Sequence, residues 1–223
     1  MREGEKKMRL NKRVMAAVMV GVLTLSSSFA VSAASSPVVG GTTVDPNHVD
    51  HLEGKTITSD VNVSARTAIV KKAESSKSAE VKSAVVFNVA RTDSGSKVPI
   101  TQIGTGKAGV FNSKAGRIIT RVTVKSSANV VTIKANAFKG SKVKTLKLNS
   151  KKTVINKNAF KKTKAKSPKI YVNGKVTAKK GAFKGLSKKA KIVVSRKAYS
   201  KKAFKKLKKA LKKAGFKGTI SRK

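Results

Sequence analysis

The sequence predicts a β-rich α/β solenoid: a short repeat array between an N-terminal β-hairpin cap and a C-terminal amphipathic helix cap. Three observations predict it. The dipeptide Ala-Phe recurs at 137/138, 159/160 and 182/183. Short alternating runs recur as Val122-Thr123-Val124, Leu146-Lys147-Leu148, Ile170-Tyr171-Val172 and Ile192-Val193-Val194, their first residues 24, 24 and 22 positions apart. Beyond residue 196 the apolar spacing becomes helical. A fixed period of about 20–50 residues marks stacked units, each burying its apolar face on the next.

The N-terminus reads as an export signal. Arg9, Lys12 and Arg13 precede an apolar run from Val14 to Leu25, and Phe29-Ala30-Val31-Ser32-Ala33-Ala34 supplies small residues for cleavage after Ala33 or Ala34. A basic, apolar and small-residue order is that of a secretory signal peptide. The apolar run is shorter than the ~20 residues a membrane span needs. Residues 1–34 are assigned to the signal, with Met1 or Met8 as its start. Residues 35–59, with Pro37, Gly40, Gly41 and Pro46, read as a flexible linker. Residues 60–99 read as a β-rich N-terminal segment or cap. Within 81–103, Val85–Val89 and Val98–Ile100 flank the turn signal Asp93-Ser94-Gly95-Ser96 and predict a hairpin.

Residues 100–195 hold the repeats. Alternation places 122/124, 146/148, 170/172 and 192/194 inward and the residues between them outward. Phe138, Phe160 and Phe183 fill the opposite wall. Ile133-Lys134-Ala135-Asn136-Ala137-Phe138-Lys139-Gly140, Ile155–Lys162 and Val176–Gly185 are the clearest copies. This pattern, Ile-x-x-x-Ala-Phe-x-Gly followed by a Leu-x-Leu strand, resembles the BspA-like, or treponemal-type, leucine-rich repeat. Ile100–Gly104 leading to Val110-Phe111 resembles a divergent first copy. The resemblance implies a surface or secreted protein that binds other molecules. Residues 196–223 form a basic helix cap and tail. Tyr199, Ala203, Leu207, Ala210, Leu211 and Ala214 share one face, and Gly215 stands where a C-cap glycine belongs.

Charge narrows the function. The chain carries 52 Lys+Arg against 9 Asp+Glu, a formal +43. Every acidic residue lies at or before Asp93, and residues 94–223 contain 39 Lys+Arg with no Asp or Glu. That half cannot neutralise itself with carboxylates, and its self-repulsion opposes folding. Most of the cations are lysines, solvated point charges suited to phosphate or sulfate without fixed geometry. Cysteine is absent, which excludes disulfides and thiol chemistry. Residues 94–223 also lack histidine, so no conventional acid, base or metal ligand stands there. No catalytic residue, metal or cofactor is expected, and no small-molecule substrate.

The expected binding residues are the outward strand positions, on the concave face where solenoids commonly hold partners. They are Arg121, Thr123, Thr145, Lys147, Lys169, Tyr171, Lys191 and Val193. The expected partners are anionic polymers, of teichoic acid or glycosaminoglycan type, or surface proteins. A second reading inserts residues 197–216 into anionic membranes. A third is nucleic-acid binding, non-specific because it would rest on charge alone. Asp45–Glu53, with His48 and His51, reads as linker polarity rather than a metal site, and Gly104-Thr105-Gly106-Lys107 as a turn rather than a phosphate loop. With no sorting motif, lipobox or C-terminal span, cell-wall association is expected to be non-covalent and electrostatic.

Overall fold

The computed structural model describes residues 44–52, 54–76 and 84–223. The expected signal segment and residues 35–43 lie outside them. The described chain is β-rich, with parallel sheets and a single helix near its C-terminus.

Three strands open it: β1 (Val44–Leu52), β2 (Lys55–Asn62) and β3 (Thr67–Ser75), joined as an antiparallel meander. The expectation of a flexible linker over 35–59 is therefore corrected for residues 44–52 and 54–59. In β2, Ile57, Ser59 and Val61 face inward and the residues between them are half exposed, the alternation of a one-sided sheet. β1 escapes notice because polar residues occupy inward positions. His48 and Asp50 are buried, and His48 Nδ1 contacts Asp45 Oδ2 at 2.7 Å. Asp50 Oδ1 accepts the N–H of Arg91 at 3.2 Å. Buried polar groups persist when they are partnered.

The expected 81–103 hairpin is narrower than its sequence span. β5 (Val89–Arg91) pairs antiparallel with β6 (Lys97–Ile103) around the Thr92–Ser96 turn. β4 (Ala84–Phe87) departs to the other sheet, where it pairs in parallel with β7 (Arg121–Val124). From there the chain alternates between two sheets. β8 (Val131–Ile133), β10 (Lys152–Ile155) and β12 (Lys175–Ala178) continue the first, in the order β1-β2-β3-β6-β8-β10-β12. β9 (Thr145–Leu148), β11 (Lys169–Val172), β13 (Lys191–Val194) and β14 (Thr219–Arg222) extend the second, ordered β14-β13-β11-β9-β7-β4. Both β4 and β14 fall outside the expected repeat bounds of 100–195, and the supposed tail is a strand.

Each unit thus contributes two short parallel strands. One apolar pair comes from the second sheet, such as Leu146/Leu148 or Ile170/Val172, and faces Val131/Ile133 or Ile155 from the first. Between the strands lies the Ala-Phe corner. Its rings form one column: Phe87, Phe111, Phe138, Phe160, Phe183 and Phe216, with successive centroids 6.0, 5.5, 4.9, 5.8 and 5.3 Å apart. The first four contacts are tilted or stacked and the last is edge-on. Phe87 and Phe216 lie beyond the sequence copies and carry the column into the flanking elements.

The corners also bond to each other through the backbone. Phe138 N donates to Ala159 O at 3.0 Å, and Asn136 N donates to Asn158 O at 3.0 Å. Asn136 and Asn158 turn the chain at φ +59 and +63, a region that asparagine tolerates better than most residues. Backbones approach so closely that Gly174, in the bend just before β12, has no room for a side chain: a Cβ there would overlap the carbonyl oxygen of Ser150.

Helix α1 (Lys201–Lys213) begins at Ser200, whose hydroxyl accepts the Ala203 N–H. Its eight lysines leave Leu207 and Leu211 as the buried stripe. Gly215 ends it at φ +93, and Phe216 turns back onto Phe183. Tyr199 precedes the helix and its hydroxyl accepts the N–H of Val176 at 2.7 Å, satisfying β12. Burial raises the Tyr199 pKa above 10, against the opposing effect of that bond.

Two substitutions probe this packing. Phe160→Ala should lower the unfolding free energy by about 3–5 kcal/mol, a ring lost from the middle of the column. Gly174→Ala should cost about 1–3 kcal/mol by forcing adjacent units apart. Urea unfolding followed by circular dichroism measures both. Wild-type stability for either variant contradicts the stacking described.

Candidate binding face

The second sheet turns one face inward and the other to solvent. Strand register fixes which outward residues meet. Arg121, Thr145, Lys169, Lys191 and Thr219 stand opposite one another in one row, with Ala84 before Arg121. Thr123, Lys147, Tyr171, Val193 and Ser221 form the second, with Val86 before Thr123. All the sequence-derived binding residues therefore share one sheet face. Arg121, Lys147, Lys169 and Lys191 are exposed, and Thr123, Thr145, Tyr171 and Val193 are half-buried.

The inward partners explain the placement. Val122, Leu146, Ile170 and Ile192 are buried, so their strand neighbours must point away. Sequence reading missed the two ends of the face. Val85-Val86-Phe87 alternates as Val122-Thr123-Val124 does, which could have revealed β4. β14 is separated from β13 by the helix, which breaks the period. The other sheet was also unread as a sheet, and it exposes Lys152 and Lys175.

The electrostatics of the face are one-sided. Lys169 stands directly opposite Lys191 on neighbouring strands about 4.8 Å apart. Like charges so placed destabilise a sheet. The ion pairs Lys71–Asp60 and Lys72–Glu74, at 2.9 Å each, lie in the opening meander. At Glu74 burial pushes the carboxyl pKa up, but hydrogen bonds from Lys72 and Ser113 and the Lys72 charge outweigh it and hold it below the ordinary value. Residues 94–223 have no acidic side chain to do the same for the face. Chemically, the face offers ammonium groups, a guanidinium and hydroxyls, hydrogen-bond donors suited to anions.

Parallel strands in register, with an aromatic corner between them, mark an array of stacked repeats. The family model of the BspA type leucine rich repeat region matches residues 114–222 in six copies. That stretch is a BspA-type leucine-rich repeat region. It runs beyond the sequence-expected end at 195, through α1 and β14. No curated protein and no solved structure matches the chain. Repeat regions of this type mediate protein interactions and are generally non-enzymatic. Proteins that carry them are typically surface-located or secreted.

Replacing Lys191 by threonine removes one of two opposed charges and adds a good strand former. Stability should rise by about 0.2–1 kcal/mol at low ionic strength. The gain should vanish in about 1 M NaCl, where the screening length is ~3 Å. Paired urea titrations at low and high salt measure it, and a loss of stability at low salt would contradict the repulsion.

Proposed function

We propose that this is a secreted or cell-envelope binding protein, adhesin-like, that holds anionic polymers on its basic repeat face. The array is a solenoid, closed at one end by the β-rich N-terminal segment and at the other by α1. One observation carries this reading: 39 Lys+Arg against no Asp or Glu over residues 94–223. Counter-charge for that half must come largely from outside it. Sulfated or phosphate-linked polymers, of glycosaminoglycan or teichoic acid type, supply it at regular intervals. The rows containing Arg121, Lys169 and Lys191 and containing Lys147 and Tyr171 form the contact. The signal-like segment 1–34 supports a location outside the cell, where the basic surface holds the protein to the anionic wall.

The burial of Leu207 and Leu211 weighs against the membrane-active alternative, since α1 has committed its apolar stripe to the core. Non-specific attraction to nucleic acid follows from the same charge and gives no sequence preference.

The test is binding of the intact protein to a sulfated glycan and to a poly(glycerol phosphate) at about 0.05 M and 1 M NaCl. Saturable binding at low salt that collapses at high salt is expected. Lys147, Lys169 and Lys191 changed together to Ser should weaken binding more than three exposed lysines of α1 changed together. Binding unaffected by salt, or none at low salt, removes the electrostatic reading. Equal loss from any three lysines removes the sheet face from it.

A further inference from the structure

A second basic feature lies beside the sheet face. The link from Phe138 to Thr145 spans seven positions, and the next, from Phe160 to Lys169, spans nine. The longer loop cannot follow the shorter one, and a cleft of about 510 Å³ opens between them. Its walls are Lys142 and Lys144 from one unit and Lys164 and Lys166 from the next, with Ala165 and Ser167 between.

The walls are held in place by backbone and hydroxyl bonds. Lys164 N donates to Ser141 O at 2.8 Å and Lys169 N to Lys144 O at 2.8 Å. The Ser141 and Thr163 hydroxyls meet at 3.2 Å, and Ala165 is buried beneath the loop. The four ammonium groups, by contrast, have no hydrogen-bond or ion-pair partner among the described residues. Four exposed lysines border the one cleft on ordered backbone, and a multivalent anion seated among them would draw their charged ends toward it. Because the backbone is already ordered, an anion entering the cleft would spend little on ordering it.

We propose that this cleft is a discrete anion subsite, which takes a phosphate or sulfate group and anchors a polymer strand at the start of β9 and β11. The inference rests on the anionic-polymer reading and deepens it by naming a fixed point of attachment. Lys169 lies three residues beyond Lys166 and leads from the cleft onto the sheet face. One anionic group is gripped between two units while its neighbours pass over the Arg121–Lys191 row.

The probes are inorganic tripolyphosphate and a sulfated disaccharide, titrated by calorimetry into the intact protein at low salt. One saturable site per chain is expected for at least one probe, and the two arms tell phosphate from sulfate. A variant with Lys142, Lys144, Lys164 and Lys166 all changed to Ser should bind that probe about tenfold or more weakly. A variant with Lys201, Lys205, Lys208 and Lys212 changed to Ser carries the same net charge and should lose less than about threefold. Acetylation of the wild-type protein, read by mass spectrometry, should show the four cleft lysines protected by the probe ahead of all others. Equal loss in the two variants, or protection spread evenly, overturns the subsite while polymer binding stands. Failure of the polymers themselves to bind removes both.

Discussion

A column of six phenylalanine rings runs through the array, one per turn, from Phe87 to Phe216. Every other feature depends on it. Each ring contributes burial worth about 1.5–3 kcal/mol and a ring contact worth about 0.5–1.5 kcal/mol. These terms are needed because the surrounding surface opposes compaction. No disulfide adds support, since the chain has no cysteine. The column also sets register. Once one ring sits on the next, the flanking Val, Leu and Ile pairs fall opposite their counterparts, and the outward residues fall into rows.

The rows are expensive for the fold, which makes them informative. A strand position such as Lys191 would be better filled by threonine or valine as far as stability goes. Surfaces that sacrifice stability in this way commonly do so where function needs it. The polarity of the chain repeats the point. The opening meander balances its charges with Asp60 and Glu74, each engaged by a lysine. Beyond Asp93 the lysines have no such carboxylates. The same fold could have carried glutamates at these exposed positions without disturbing the core. It carries cations instead, with Lys169 directly opposite Lys191.

Much of this was legible in the sequence because it is periodic. Ala-Phe pairs and Val-x-Val runs reveal the core and one sheet, and Leu207, Leu211 and Ala214 reveal the helix stripe. The face residues follow from alternation alone. What was hidden is what breaks the period. Strand β1 buries His48 and Asp50 in place of apolar residues, so its inward face reads as polar and its segment as linker. β8 is only three residues long and was absorbed into the Ala-Phe motif. β14 pairs with β13 across an inserted helix. The lysine cleft arises from a two-residue difference between neighbouring loops, which becomes a surface only once the units are stacked.

The central claim is that apolar stacking keeps folded an array whose cations have no Asp or Glu within residues 94–223 to neutralise them. The most direct measurement is the Tm of the intact protein, without ligand, as NaCl rises from about 0.01 M to about 1 M. Over that range the screening length contracts from ~30 Å to ~3 Å. The account predicts a steady rise in Tm as repulsion is screened, with the largest gains at the low-salt end. A Tm that stays flat or falls would mean that the lysines already have partners, and would contradict it.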